Sequence, residues 1–99
     1  LEAPGPILGA VAEVAAKHGL VIVAGGMPER SDDADRPFNT SVLVDAAGRI
    51  VASYRKVHLF DVSLADGTAL RESAATTAGS TPAVVDVLGT RLGMTVCYD

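Results

Sequence analysis

The 99-residue sequence lacks the features that mark several classes of protein. Its single cysteine excludes an internal disulfide, and with it the disulfide-stapled scaffold of small secreted proteins. No Cys/His cluster has zinc-ligand spacing, and no apolar run reaches the roughly 18 residues needed to span a bilayer. A formal net charge of −4 removes the electrostatic basis for binding nucleic acid.

Apolar residues make up 48% of the chain, which argues against disorder and, at this length, allows at most one domain. The chain begins at Leu1, with no initiator methionine and no signal peptide. It ends at Asp99, directly after its only cysteine and at the end of an apolar run that predicts a strand. We therefore expect residues 1–99 to be an internal segment of a longer protein.

The first half of the sequence predicts a helix followed by a sheet. A helical spacing of three to four residues separates Ile7, Val11, Val14 or Ala15, and His18. Gly19 follows them as a C-terminal cap. The apolar run at 20–24 predicts a strand that is buried on both faces and ends at Gly25-Gly26. The other predicted segments are a polar loop at 27–37, strands at 38–45 and 50–56 joined by a hairpin turn at Gly48, an irregular stretch at 59–82 with a short helix near 69–73, and strands at 83–87 and 91–97. A helix packed on mixed strands is typical of the α/β or α+β class.

Two of the predicted strands end in reactive side chains. Lys56 ends the strand at 50–56, and Cys97 ends the last strand. A lysine ammonium beside a thiol favours the nucleophilic thiolate and can stabilise an oxyanion, which suits attack on a carbonyl or nitrile carbon. The spacing alone leaves a plainer interpretation open, because a lone cysteine is often a small buried hydrophobe and a lone lysine a solvated charge.

Three segments around these residues resemble motifs of the carbon–nitrogen hydrolase (nitrilase) superfamily. Residues 54–61 (YRKVHLFD) resemble its lysine motif, and residues 92–99 (LGMTVCYD) resemble its cysteine motif. Between them, residues 70–73 (LRES) resemble the segment that holds a second glutamate, Glu72. The hairpin before the lysine and the first helix also fit, so the resemblance covers almost the whole chain in the family's order.

The resemblance implies a four-layer α-β-β-α sandwich, of which this chain would be one part. It implies that Cys97 is the nucleophile, that Lys56 and the backbone N–H of Tyr98 stabilise the oxyanion, and that Glu72 positions Lys56 or the substrate. No cofactor or metal is implied. The reaction would release ammonia from a small-molecule amide through a Cys thioester, and the parent protein would be a homo-oligomer with neither nucleic acid nor membrane as a partner.

One element of the family pattern is not found in this sequence. The family's general base is a glutamate that follows a strand upstream of the first helix, whereas Glu2 directly precedes the helix here. Glu29 lies at the wrong place in the order, and we interpret it as a residue of a surface loop or pocket rim. We therefore expect a partial hydrolase domain over 1–99 that is inactive when expressed alone.

The remaining polar residues near the motifs have plainer predicted roles. On a continuing strand His58 would share the face of Lys56, and it is either a hydrogen-bonded structural histidine or a pocket residue. Tyr54 is interpreted as a packing residue with its hydroxyl on a partner, or as a pocket residue. Asn39, Asp61 and Asp99 are interpreted as structural hydrogen-bonding residues, with Asp99 frayed as the last residue.

The form of the motifs favours the omega-amidase and deaminated-glutathione-amidase branch. Nitrile-cleaving members more often carry Trp-Glu after the cysteine, where this chain has Tyr98-Asp99. One alternative is a non-catalytic ligand-binding or assembly module on a degenerate hydrolase fold. Another is an anion site at Gly25-Gly26, although no helix start follows these glycines to favour an anion. A single cysteine needed as a thiolate suggests a cytoplasmic location.

Overall fold

A helix opens the computed structural model, which describes residues 5–99. Helix α1 spans Pro6–His18, with proline at its start and Gly19 as a left-handed cap (φ 63°) whose N–H bonds the Ala15 carbonyl. Proline suits the first turn because its missing N–H has no partner there anyway. The helix and its cap are confirmed, but the buried face is carried by Leu8 and Ala15, whereas Ile7 is 59% exposed. Glu2 lies outside the described residues.

Three antiparallel strands form the main sheet in the order β1-β2-β3. Their bounds are Ile22–Glu29 for β1, Phe38–Val44 for β2 and Ile50–Arg55 for β3. The turn between β2 and β3 is confirmed, with Gly48 at φ 82°. A Cβ at Gly48 would lie 2.8 Å from the Ala12 carbonyl oxygen, so glycine also allows the turn to pack closely on α1.

Strand β1 is longer than predicted. The sequence assigns residues 27–37 to a loop, yet Met27, Pro28 and Glu29 continue the pairing with β2 after a register shift. The shift falls at Gly25-Gly26, which therefore form a bulge rather than a strand end. Pro28 is tolerated because β1 is an edge strand. Burial on both faces was also a wrong expectation for this chain, in which Val23 is 53% exposed.

The second half of the chain forms two further hairpins. Strands β4 (Asp61–Ser63) and β5 (Ala69–Arg71) occupy the segment predicted as irregular, and a 3₁₀ turn at Glu72–Ala74 replaces the short helix expected near 69–73. Strands β6 (Ala83–Val87) and β7 (Thr90–Met94) form the last hairpin. Strand β7 ends three residues before Cys97, so the predicted strand at 91–97 was too long.

Two hydrophobic clusters lie on opposite faces of the main sheet. Val42 and Val44 of β2 pack against Leu8 and Ala15 of α1. Leu43, between them on β2, packs with Tyr54 against Met94 and Val96. Because successive side chains of a strand point to opposite faces, β2 forms the centre of a helix–sheet–hairpin stack. The chain is thus of the α/β (α+β) class, and no helix within residues 5–99 is long and apolar enough to cross a membrane.

Candidate active site

Lys56 follows β3 directly and is held by its backbone on both sides. Its N–H donates to the Asn39 carbonyl at 2.8 Å, and its own carbonyl accepts from the Gly79 N–H at 2.8 Å. The side chain is 2% exposed, and its Nζ donates to Glu72 Oε1 at 2.8 Å. Burying an ammonium is unfavourable unless a carboxylate accompanies it, and Glu72 supplies one.

Glu72 begins the 3₁₀ turn after β5 and accepts two hydrogen bonds on one oxygen. Besides Lys56 Nζ, its Oε1 accepts the Phe60 N–H at 2.7 Å. Burial favours the protonated acid, but the hydrogen bonds from Lys56, Phe60 and the Asn39 side chain outweigh it and lower the pKa of Glu72. The carboxylate is therefore ionised opposite the ammonium at neutral pH.

The turn that carries Glu72 is fixed by neighbouring side chains. Asp61 accepts the Ser73 N–H at 3.0 Å and the Ser73 hydroxyl at 2.6 Å. From the opposite loop, Arg36 donates through Nε to the Ser73 carbonyl at 2.9 Å. Asp61 is thus a structural hydrogen-bonding residue, and its role is to fix the start of the turn.

Cys97 lies beyond the end of β7, in a turn with unusual backbone geometry. It is exposed and has a φ of 53°, in the left-handed region that residues other than glycine rarely adopt. Val96 before it is buried against the sheet, so the chain leaves the core at the cysteine. Such a conformation persists only where surrounding contacts impose it.

Asp99 supplies those contacts. One of its carboxylate oxygens, Oδ2, accepts the Tyr54 hydroxyl and the Val96 N–H, the latter at 3.2 Å. The other, Oδ1, accepts the His58 N–H at 3.3 Å and lies 3.1 Å from His58 Nδ1. The side chain is 4% exposed, so the expected fraying is wrong. Burial opposes ionisation, but these hydrogen bonds lower the pKa of Asp99.

Tyr54 and His58 both contact Asp99, but in different surroundings. Tyr54 is buried, and its hydroxyl accepts the Val57 N–H at 3.1 Å while donating to Asp99. Burial and the neighbouring carboxylate raise the pKa of Tyr54. The His58 side chain is 76% exposed, so it does not share the buried environment of Lys56. Strand β3 ends before His58, which is why the expected common face is absent.

Gly26 and Asn39 connect the cysteine segment to the Lys56–Glu72 pair. A Cβ at Gly26 would lie 1.9 Å from Asn39 Oδ1 and 3.2 Å from a methyl of Val96. The Asn39 side chain also bonds Glu72. The bulge in β1 therefore makes room for Asn39, and the end of the cysteine segment lies against the same cluster.

The family model for carbon–nitrogen hydrolases matches residues 1–99, the entire chain. The chain belongs to the carbon–nitrogen hydrolase family. Among curated relatives it is 36% identical over 94 residues to the chloroplastic omega-amidase of Arabidopsis thaliana, covering 95% of this chain and 25% of that protein. It is 40% identical over 97 residues to the deaminated glutathione amidase of Yersinia enterocolitica, covering 96% of this chain and 34% of that protein.

Solved structures of carbon–nitrogen hydrolases share the fold. The NitFhit protein of C. elegans superposes with a TM-score of 0.81 at 34% identity, over 94% of this chain and 23% of that one. A mutant amidase from Nesterenkonia sp. AN1, with the acetamide moiety of fluoroacetamide added covalently at its active-site cysteine, gives a TM-score of 0.74 at 28% identity, over 93% of this chain and 32% of that one. The chain thus spans about a quarter to a third of the length of these relatives, and forms part of their sandwich.

The sequence also predicts Glu29 in a surface loop or at a pocket rim, and the surface-loop prediction is wrong. Glu29 is 8% exposed, not on a surface loop, and it bonds Arg55 through both oxygens at 2.9 Å each. Thr40 also donates to it at 2.8 Å. The hydrogen bonds from Arg55 lower the pKa of Glu29 against the effect of burial. Recognising that β1 continues through the Gly-Gly bulge would have placed Glu29 opposite Phe38, within reach of β3.

Proposed function

We propose that this chain supplies the nucleophile and an oxyanion-stabilising lysine of an amidase that releases ammonia from the amide of a small carboxylic acid. The observation that carries the proposal is the ion pair of the buried Lys56 with Glu72, which is connected through Asn39 and Gly26 to the segment that presents Cys97. Acyl transfer requires a nucleophile and a fixed oxyanion donor, and the exposed Cys97 thiol and the buried Lys56 ammonium are groups of these two kinds.

In this proposal, the Cys97 thiolate attacks the amide carbonyl carbon, a C–S bond forms, and the carbonyl electron pair moves onto oxygen. A lysine ammonium has three N–H donors. Within residues 5–99, Lys56 Nζ donates to Glu72. The other donors, with the Tyr98 N–H, stabilise the oxyanion. Collapse breaks the C–N bond, and the nitrogen takes up the proton that the Cys97 thiol gave up and leaves as ammonia. Water then hydrolyses the thioester to the carboxylic acid and regenerates the thiol.

Glu72 has a positioning role in this scheme. It accepts a hydrogen bond from Lys56 Nζ and so holds the ammonium in place, and its own position is fixed by the Phe60 N–H. The general base that the family resemblance implies would be supplied by chain outside residues 1–99. We therefore propose that these residues are a partial hydrolase domain, and that they are inactive when purified alone.

The names of the relatives support an amide rather than a nitrile as substrate. The relatives described above include an omega-amidase and a deaminated glutathione amidase. Tyr98-Asp99 after the cysteine, in place of Trp-Glu, points the same way. We also propose a cytoplasmic location, supported by the need for a reduced thiol, and a homo-oligomeric parent protein.

The decisive test uses the complete protein that carries this segment. We expect ammonia release from small primary amides such as α-ketoglutaramate, and its loss in Cys97→Ala with an unchanged circular dichroism spectrum. Fluoroacetamide should add one acetamide group at Cys97, because the thiolate forms a C–S bond as fluoride leaves with the C–F electron pair. Mass spectrometry of tryptic peptides measures this addition.

The same experiment separates the alternatives. Ammonia release from nitriles only would contradict the amidase assignment. If the folded protein released no ammonia from amides or nitriles and Cys97 stayed unlabelled, the non-catalytic module would be favoured instead.

A further inference from the structure

Asp99 is the side chain through which the cysteine segment is tied to the segment around Lys56. Its two carboxylate oxygens contact donors on three residues: Tyr54, His58 and Val96. Tyr54 and His58 flank Lys56 at two residues on either side, and Val96 immediately precedes Cys97. One carboxylate therefore spans both candidate catalytic segments.

The backbone at Cys97 explains why such a connection is needed. Its φ of 53° is unfavourable for a residue with a side chain, and the turn contains no glycine to relieve it. Asp99 accepts the Val96 N–H from within the turn, which closes the turn over Cys97 and Tyr98. The 4% exposure of the Asp99 side chain protects these bonds from competition with water.

We propose that Asp99 is a positioning residue of the reaction, whose carboxylate holds the Cys97 turn against the end of β3. It thereby sets the thiol and the Tyr98 N–H relative to the Lys56 ammonium. This inference rests on the proposed amidase function. Asp99 need not touch the substrate, because it acts through the geometry of the turn.

Asp99→Asn is the sharpest variant, because it keeps the size of the side chain while replacing one acceptor oxygen with a donor. Both carboxylate oxygens face donors, and the Tyr54 hydroxyl already accepts the Val57 N–H. An amide therefore cannot satisfy both sides, whichever way it is turned. Asp86→Asn is the matched control, since Asp86 is 77% exposed on β6 and bonds Arg91.

In the complete protein we expect Asp99→Asn to lower kcat for amide hydrolysis by about 100-fold with little change in KM, because a displaced reacting group costs rate rather than substrate affinity. Amide hydrogen exchange at Val96 and His58 should accelerate, while that of β2 stays slow. Tyr54→Phe, which leaves the Val96 contact in place, should lower kcat less. Asp86→Asn should match the wild type.

Three results would overturn the inference. The first is an unchanged kcat in Asp99→Asn. The second is a kcat loss explained entirely by a smaller folded fraction, measured by circular dichroism. The third is unaltered exchange at Val96 and His58. An inactive wild type whose Cys97 resists fluoroacetamide would refute the amidase function and the positioning role together, whereas an active wild type with an active Asp99→Asn variant would refute the positioning role alone.

Discussion

Arg55 and Lys56 are consecutive residues that form two ion pairs of different character. Arg55 is about half exposed and bonds the buried Glu29 through both of its oxygens, with the guanidinium 4.2 Å from the centre of the Phe38 ring. Lys56 is almost fully buried and bonds a single oxygen of Glu72. The first pair joins β1 to β3 across β2, and the second joins the end of β3 to a 3₁₀ turn.

The difference lies in how many donors each cation keeps for a further partner. A guanidinium that bonds a carboxylate through two nitrogens and stacks on a ring is held in one orientation by these contacts. An ammonium with one strong acceptor keeps donors for a further ligand. The two pairs should therefore respond in opposite ways to substitution, the Lys56 pair in activity and the Arg55 pair in stability.

The largest effect is expected from Lys56→Met, which keeps the length of the side chain and removes its charge and donors. We expect amide hydrolysis by the complete protein to fall by about 100- to 1000-fold, because an oxyanion donor is lost. Steady-state ammonia release measures the rate. Arg55→Lys is the neighbouring control and should retain the activity of the folded protein. Comparable losses in both variants would break the distinction between the pairs.

A smaller effect is expected from Glu72→Gln, which keeps an acceptor for Lys56 and Phe60 but removes the charge. Activity should fall by about 10-fold, the cost of weakening one charge-assisted hydrogen bond.

The same variant should change how stability depends on pH. Because the pKa of Glu72 is lowered in the folded state, ionised Glu72 stabilises the protein at pH values above the usual pKa range of glutamate. This stabilisation is lost as pH falls through the lowered value. Urea unfolding from pH 7 to pH 3 should therefore show a shallower acid loss in the variant. An equally steep loss would contradict the role assigned to the Glu72 carboxylate.

The smallest effect on activity is expected from Glu29→Gln, which should change stability instead. We expect a loss of about 1 kcal/mol at pH 7, because the half-exposed Arg55 can turn to water. The pKa of Glu29 is also lowered in the folded state, so the difference from wild type should vanish as pH falls below the lowered value. Thermal unfolding at several pH values measures both. A large loss of kcat with unchanged stability would move Glu29 into the site.

The elements that were predicted correctly are those with strong local signals. Helix α1 ends at a glycine in the left-handed conformation, and the β2–β3 turn has another at Gly48, positions that a residue with a Cβ adopts only at a cost. The errors fall where tertiary contacts outweigh local preference. Gly25-Gly26 indicates a strand end in the sequence, yet β2 continues to pair with β1 on both sides of the bulge.

The residues of the candidate site also form two groups: those predicted from the sequence and those whose importance is seen only in the structure. Lys56, Glu72 and Cys97 were found because their surroundings resemble family motifs, and the contact between Lys56 and Glu72 follows that expectation. Glu29, Asn39 and Asp99 were assigned peripheral roles. Their importance depends on hydrogen-bond partners that are distant in the chain and on burial, neither of which a local pattern contains.

The sequence by itself determined the family, the helix, the β2–β3 and β6–β7 hairpins, and the reactive side chains, because each depends on local residue types and their order. Only the tertiary structure decided that Lys56 is buried against Glu72, that Glu29 belongs to the sheet, and that Asp99 holds the Cys97 turn. These facts arise from pairing between residues distant in the chain. The strength of such pairing depends on which groups folding removes from water together.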